Sequence, residues 1–167
     1  DLDGTVREGP DDALGRFATD PSDVRVFPEA ITLMRQWKDR GGRIIGASNQ
    51  GGIAFGHVKT EMVYATMIET QRQIGNLFDI IMFCPHHPNA PDLFAARCWC
   101  RKPSPGMIVQ ALLELGSEYP EHYPPHLGMM VGDRTVDQRC AQLAGLPFMW
   151  ASEWRATASS VDKKMET

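Results

Sequence analysis

Two carboxylates stand two residues apart at the start of the sequence, in Asp1-Leu2-Asp3-Gly4-Thr5. An extended backbone can direct both toward one pocket, because alternate side chains share a face. One carboxylate could attack phosphorus, while the other protonates the leaving oxygen and then activates water. Alone, these five residues leave open the alternative of an acidic turn that binds nothing.

Two later segments could hold an anion. Ser48 and Asn49 end an apolar run, and Gly51 follows, so that hydroxyl, amide and backbone N–H groups could contact a phosphate and make Asn49 and Gly51 substrate-binding. Arg101 and Lys102 precede a predicted helix and could neutralise a phosphoryl group during transfer. The alternative for this pair of cations is a solvated basic turn.

Asp133 and Asp137 follow another apolar run and are separated by about one helical turn. Carboxylate oxygens suit Mg²⁺, which binds through one or two carboxylates together with substrate phosphate and water. The pair therefore predicts a magnesium site. In the alternative interpretation, Asp133 caps the helix and Asp137 faces solvent.

A group of cysteines and histidines has the spacing of a zinc site. Three thiols and one imidazole in a Cys-x-His and Cys-x-Cys arrangement match the tetrahedral ligation of closed structural zinc sites, and the predicted ligands are Cys84, His86, Cys98 and Cys100. His87 is the alternate imidazole. Reduced thiols packed as small apolar residues remain an alternative, and so does a catalytic zinc, although four protein ligands leave no position for water.

These residues must be positioned by elements that alternate along the chain. Apolar periodicity predicts helices over 28–40, 58–74, 104–115 and 136–144, and strands over 42–47, 78–83, 127–131 and 146–150. Segments 7–26, 87–97 and 116–126 are predicted loops, and 155–167 a polar tail. The alternation predicts an α/β fold with a doubly wound, mostly parallel sheet, whose strand ends carry the polar residues to one edge.

Length and charge limit the function classes. The 167 residues, 43% of them hydrophobic, indicate one domain over 1–154, and we expect a further strand before Asp1 to hold the first motif. A net charge of -4 offers little attraction to a nucleic-acid backbone. The longest apolar runs are too short to span a membrane, and no signal peptide opens the chain, so a cytoplasmic monomer is expected.

Taken in order, the four motifs Asp-x-Asp-Gly-Thr, Ser-Asn-Gln, Lys-Pro and Gly-Asp-x-x-x-Asp resemble those of haloacid dehalogenase (HAD) phosphatases. The resemblance implies that Asp1 is the nucleophile that forms an aspartyl-phosphate and that Asp3 is the general acid and base. It further implies that Ser48 binds phosphate through its hydroxyl and that Lys102 neutralises the phosphorylated aspartate.

By the same resemblance, Asp133 binds Mg²⁺ together with Asp1 and the Asp3 carbonyl, while Asp137 holds the charges of the site in place. No segment has room for a large cap domain, which implies an open site shaped by loops and the zinc cluster. The non-enzymatic alternative is a zinc-binding module that retains only the phosphatase scaffold.

The segment 84–107 resembles the zinc loop of D-glycero-D-manno-heptose-1,7-bisphosphate 7-phosphatases, with histidinol-phosphate phosphatases as close relatives. This resemblance implies a small phosphorylated metabolite, such as a sugar phosphate, as the substrate, and places Arg101 against a substrate oxygen or second phosphate. Leu2 departs from that subgroup, which usually has arginine there. Together with the segment 21–25, it is similar instead to polynucleotide 3′-phosphatases, so that a nucleic-acid end is the alternative substrate.

Overall fold

The order of helices and strands follows the predicted alternation. The computed structural model describes residues 1–10, 17–116 and 128–159. Its elements are β1 (Arg7–Glu8), a 3-10 turn (Pro21–Asp23), β2 (Arg25–Val26), α1 (Pro28–Asp39), β3 (Ile45–Asn49), α2 (Thr60–Gln73), β4 (Ile80–Cys84), α3 (Leu93–Ala96), α4 (Gly106–Leu115), β5 (Met130–Gly132), α5 (Thr135–Leu143), β6 (Phe148–Trp150) and α6 (Ala151–Ala156). This alternation confirms the prediction of an α/β fold.

The described strands of the α/β core form two parallel pairs. In the first pair, β3 and β4 run side by side, with Ser48 opposite Phe83 and Asn49 opposite Cys84. In the second pair, β5 runs parallel to β6. Parallel strands are confirmed, although the described pairs do not join into one continuous sheet. Because β3 and β4 are parallel, the predicted site residues at their carboxyl ends lie at the same edge of this pair.

The first residues of the chain contact both pairs. The backbone nitrogen of Asp1 donates to the Val131 carbonyl of β5 at 3.0 Å. Leu2 is fully buried, and its side chain lies against Gly46 of β3, where a Cβ would come within 3.0 Å of the Leu2 Cδ1. The first motif is thereby held against β3 and β5, one strand of each pair.

Two predicted boundaries are wrong in an informative way. The strand expected over 42–47 is Ile45–Asn49. It extends past residue 47 because Ser48 and Asn49, although polar, still pair with β4. The segment predicted as a loop over 7–26 contains the short antiparallel strands β1 and β2. A prediction from hydrophobicity ends the strand at its last apolar residue, whereas the backbone hydrogen bonds between β3 and β4 continue beyond that residue.

The remaining segments differ in smaller ways. The predicted loop over 87–97 contains α3, and the strand expected over 127–131 is Met130–Gly132, with residue 127 outside the described residues. Most of the predicted loop 116–126 also lies outside them. Helix α6 crosses residue 154, where the domain was expected to end, and Ala158 beyond it is buried.

Apolar side chains bury the helices against the strands. The largest cluster of buried residues joins the first motif to α1 and α2 and comprises Leu2, Val6, Ala30, Met34, Val63, Met67, Ile74 and Phe78. Helix α4 packs on β3 and β4, while α5 and α6 pack on β5 and β6. Within the described ranges, no helix has the length and apolar character needed to cross a membrane.

Candidate active site

The Asp1 carboxylate lies where three segments of the chain meet. The Thr5 hydroxyl donates to its Oδ2 at 3.0 Å, and the Lys102 ammonium donates to its Oδ1 at 2.5 Å. Lys102 is 3% exposed and also donates to the Ala47 carbonyl at 2.7 Å. The predicted nucleophile and the predicted cation are therefore in direct contact, although 101 positions separate them in the chain.

Two further carboxylates complete an acidic cluster. One oxygen from each of Asp1, Asp133 and Asp137 lies within 4.8 Å of the others. Asp137 is 1% exposed and its Oδ1 lies 2.8 Å from the Lys102 ammonium nitrogen, yet no hydrogen bond reaches that oxygen. Its Oδ2 accepts from the Arg134 backbone at 3.0 Å. The alternative in which Asp137 faces solvent and Asp133 caps α5 is therefore wrong, since Arg134 is the N-cap.

Asp133 is exposed as a residue, but partial loss of solvation at its carboxyl is the main cause that raises its pKa above the ordinary value, with the nearby charge of Asp137 adding to it and the charges of Arg134 and Lys102 opposing it. A positively charged group placed among these carboxylates would relieve that effect. The three carboxylates are paired with the Lys102 ammonium and, at 4.0 Å from Asp133, with the Arg134 guanidinium, so the formal charge remains negative and suits a divalent cation.

Gly4 brings the first motif against this cluster. Its φ of +83° is in the left-handed region, and a Cβ at this position would lie 2.1 Å from Asp133 Oδ2. Only glycine allows this backbone conformation and this approach together. The turn after Asp3 therefore needs a residue without a side chain.

Asp3 is tied to a buried arginine. Arg7 is fully buried, and its Nε donates to Asp3 Oδ1 at 2.9 Å while its Nη2 donates to Oδ2 at 3.4 Å. Its Nη1 donates to the Thr66 carbonyl at 3.0 Å and to the Thr70 hydroxyl at 2.6 Å. Arg7 thereby fastens the second carboxylate of the motif to α2.

We expect Arg7→Met to lower the free energy of unfolding by about 3–5 kcal/mol, because it leaves Asp3 buried without its cation. Urea unfolding of the variant and the wild type would measure the difference, with Arg40→Met as the exposed control. The double variant Arg7→Met/Asp3→Asn should recover part of the loss. A decrease of less than about 1 kcal/mol would contradict this description of the pair.

The motif at the end of β3 has two distinct roles. Ser48 is 1% exposed, and its hydroxyl donates to Asp3 Oδ2 at 3.2 Å. Gln50 donates to the same oxygen at 2.9 Å. Asn49, predicted to contact substrate, lines the basic cavity described below, and its amide accepts from the Lys102 backbone nitrogen and donates to the Lys102 carbonyl, both at 3.0 Å. Its amide holds the segment that carries the ammonium.

A basic cavity opens beside Lys102. Its volume is about 610 Å³, and it is lined by Asn49, His87, Pro88, Ala96, Cys98, Arg101, Lys102, Pro103, Arg134, Thr135 and Val136. Arg101 donates to the His86 carbonyl at 2.8 Å and lies close to Gly51, where a Cβ would come within 3.0 Å of its Nη1. Three cations face this space, so it suits an anionic ligand.

The predicted zinc ligands converge at the end of β4. The Sγ of Cys84 lies 3.1 Å from the Cys100 Sγ, 3.6 Å from the Cys98 Sγ and 3.6 Å from the His86 Nδ1. His86 Nδ1 is 3.3 Å from the Cys100 Sγ. The other imidazole, His87, accepts from the Asn89 backbone and lies outside the cluster that the described residues form.

These distances suit a tetrahedral ion. A zinc–sulfur bond of about 2.3 Å implies sulfur–sulfur separations of roughly 3.8 Å. The Cys84–Cys98 separation of 3.6 Å is close to this value, and the Cys84–Cys100 separation of 3.1 Å is shorter. All four cysteines of the chain are free, and burial raises the pKa of Cys84, so a bound cation would be needed to hold its thiolate.

Two residues of the site region were not predicted from the sequence. Arg7 stands in a segment expected to be a loop, and Arg155 falls in the predicted tail. Arg155 donates to the Gly4 and Thr5 carbonyls at 2.9 and 2.7 Å. No signal in the sequence indicates the Asp3–Arg7 pair, because the rule for charges four residues apart applies within a helix and residues 3–7 form a turn that leads into β1.

Similarity to known proteins agrees with this geometry. Residues 99–158 match the HAD-hydrolase-like family model. The chain is 30% identical to the probable D-glycero-D-manno-heptose-1,7-bisphosphate 7-phosphatase of Thermoplasma volcanium, over 89% of this chain and 92% of that protein. It is 32% identical to the D-glycero-D-manno-heptose-1,7-bisphosphate 7-phosphatase of Chlorobaculum tepidum, over 87% of this chain and 73% of that protein.

A solved structure is similar as well. The D,D-heptose 1,7-bisphosphate phosphatase from B. bronchiseptica, complexed with magnesium and phosphate, has a TM-score of 0.69 at 25% identity and covers 88% of this chain and 75% of its own. Together with the two carboxylates of the first motif, the buried lysine and the acidic pair after β5, these similarities show that the chain belongs to the HAD-like phosphatase family.

Proposed function

We propose that the chain hydrolyses the phosphate monoester bond of a small sugar phosphate, with Asp1 as the nucleophile. The observation that carries the proposal is the position of the Asp1 carboxylate, whose two oxygens accept from the Thr5 hydroxyl and the buried Lys102 ammonium. Both donors orient the carboxylate, and the ammonium offsets the charge that gathers as phosphorus is attacked.

The reaction runs in two displacements. An Asp1 oxygen bonds to phosphorus while the bond to the leaving oxygen breaks, and Asp3, which must enter this step protonated rather than as the Arg7-paired carboxylate, gives its proton to that oxygen. Asp3 then takes a proton from water, whose oxygen attacks phosphorus and releases inorganic phosphate and free Asp1. Asp3 lines a cavity of about 430 Å³ that also reaches Asp133, and we infer that water enters the site through it.

The acidic cluster fits Mg²⁺. Three carboxylates outnumber the two cations paired with them, Lys102 and Arg134, so a small divalent cation would restore charge balance. Asp1, Asp133 and the Asp3 carbonyl would hold the ion, and Asp137 would hold Lys102 beside it. When bound, Mg²⁺ supplies a positive charge that stabilises the phosphoryl oxygens in the transition state.

The thiol cluster fits a structural zinc. Three thiols and the His86 imidazole would complete four-coordinate ligation and leave no position for substrate. Its contribution to function would be indirect, since the last ligand, Cys100, directly precedes Arg101 and Lys102. Thiolate ligands persist in a reducing compartment, so we infer a cytoplasmic location.

Loss of this zinc ion should lower the stability of the fold and have little effect on the catalytic rate. About one zinc ion per chain should survive dialysis. Cys98→Ser should lower the melting temperature, because structural zinc contributes directly to folding free energy, while kcat measured well below that temperature should stay close to the wild-type value. Elemental analysis and thermal unfolding would measure both effects. Cys140→Ser, outside the cluster, is the matched control for zinc content. A dialysed protein that is metal-free, fully folded and active would contradict the assignment.

The basic cavity supports a phosphorylated metabolite as the substrate. Arg101, Lys102 and Arg134 face it, and the relatives named above act on a heptose bisphosphate. We infer that Arg101 contacts a sugar oxygen or a second phosphate, with no large cap over the site. Arginine suits this role because its planar guanidinium can hold two phosphate oxygens at once.

A substrate panel tests the proposal. Heptose bisphosphate, histidinol phosphate, other sugar phosphates and a 3′-phosphorylated oligonucleotide would be compared by kcat/KM at fixed salt and Mg²⁺. We expect the heptose bisphosphate to be the best substrate and EDTA to abolish turnover. An oligonucleotide preferred by roughly tenfold or more would contradict the metabolite assignment. No turnover with any ester would favour a zinc-binding module without activity.

A further inference from the structure

The turn that follows Asp3 is anchored by a side chain from the other end of the fold. The Arg155 Nη1 of α6 donates to the adjacent carbonyls of Gly4 and Thr5, at 2.9 and 2.7 Å. Inside the turn, the Leu2 carbonyl accepts from the Thr5 backbone nitrogen at 3.1 Å, so the backbone is closed on one side and Arg155 holds it on the other. Two charge-assisted bonds from one nitrogen make this a strong anchor.

The anchor is itself held in place. The guanidinium carbon of Arg155 lies 4.2 Å from the centroid of the Phe27 ring, in a cation–π contact. The Phe27 backbone nitrogen donates to the Val6 carbonyl at 2.9 Å, so the ring is fixed to the same turn. A planar guanidinium can stack on a ring and donate from its edge at the same time, which a lysine ammonium cannot do.

The turn connects Arg155 to the nucleophile. Thr5 accepts from Arg155 through its carbonyl and donates through its hydroxyl to Asp1 Oδ2 at 3.0 Å. A shift of the Thr5 backbone therefore moves the hydroxyl that orients Asp1. Arg155 also lines the 430 Å³ cavity with Asp3 and Asp133, which places it at the edge of the site without contact to the reacting carboxylate.

We propose that Arg155 is a positioning residue that orients the Asp1 nucleophile through Thr5. The inference rests on the proposed function for its catalytic effect, whereas the anchoring of the turn does not. Removal of the anchor should misplace Asp1 in the transition state and leave the basic cavity unchanged. Arg155→Ala should therefore lower kcat by about tenfold or more, with KM changed less than about threefold.

A double-variant cycle separates this role from a general structural one. Thr5→Val removes the hydroxyl, and if Arg155 acts through Thr5, Thr5→Val/Arg155→Ala should have a kcat no lower than the worse single variant. Arg155→Lys should fall between Arg155→Ala and the wild type. Glu153→Ala, exposed on the same helix, is the control and should leave both constants unchanged. Additive losses, or a loss confined to KM, would overturn the proposal.

Amide hydrogen exchange tests the anchor independently of turnover. The backbone nitrogens of Val6 and Arg7 both donate to the Leu2 carbonyl, at 2.8 and 3.0 Å. Arg155→Ala should speed their exchange by about tenfold, while amides in α2 keep the wild-type rate. Unchanged exchange would overturn the proposal even with an active enzyme. An inactive wild type with faster exchange in the variant would contradict the proposed function instead, and the anchor would stand.

Discussion

Asp1→Asn is expected to lower kcat by roughly a thousandfold or more, because an amide cannot form the phosphorylated intermediate. The substitution keeps the size of the side chain and removes one of three crowded carboxylates. We therefore expect the free energy of unfolding in EDTA to stay at the wild-type value or rise. Steady-state kinetics with the preferred substrate and urea unfolding would measure the two quantities.

The control for this variant is Asp39→Asn, an exposed carboxylate at the end of α1, which should leave kcat and stability unchanged. Asp1→Asn with a kcat within about tenfold of the wild type would remove Asp1 from the role of nucleophile. A large loss of stability in the same variant would show instead that the carboxylate is needed mainly for folding.

The second large effect is expected for Lys102→Met. This variant removes the ammonium that contacts Asp1 and Asp137, while the apolar stem keeps most of its volume. We expect kcat to fall by about 100-fold to 1,000-fold, because the charge that stabilises the transferring phosphoryl group is lost. Without metal, the free energy of unfolding should fall by about 3–5 kcal/mol, since two largely buried carboxylates lose their shared cation.

Removal of the Asp137 charge separates the loss of stability in Lys102→Met from its loss of activity. Lys102→Met/Asp137→Asn should recover much of the stability, because one of the uncompensated carboxylates is now neutral, but none of the activity. Lys59→Met, on the surface before α2, is the control. Full activity in Lys102→Met, or recovery of activity in the double variant, would contradict the assigned role of the ammonium.

Local spacing explains why parts of the site are predictable. Cys98 and Cys100 are two residues apart, as are Cys84 and His86, so each pair reaches one ion whatever the details of the fold. Asp1 and Lys102 are far apart in sequence, but each belongs to a motif beside a predicted strand end, and ligand sites of α/β folds collect at that edge. The motifs therefore locate the site before its distances are known.

Other features depend on tertiary contacts that composition does not encode. The sequence predicts Asn49 as a substrate contact but not the hydrogen bonds between its amide and the Lys102 backbone, which depend on how β3 meets the later loop. Arg155 stands in a polar stretch without periodicity, and only the packing of α6 brings it to Gly4. The strand end at Asn49 was also missed, since polar residues extend the ladder beyond the apolar run.

The most direct test of the central claim is to trap the phosphorylated enzyme. The wild type would be mixed with its best substrate and Mg²⁺, quenched in acid within one turnover, and digested for mass spectrometry. We predict that the mass of one phosphoryl group appears on the peptide that contains Asp1, assigned to that residue by fragmentation, and disappears in Asp1→Asn. Phosphate on another residue, or turnover during which no phosphorylated enzyme can be trapped, would contradict Asp1 as the nucleophile.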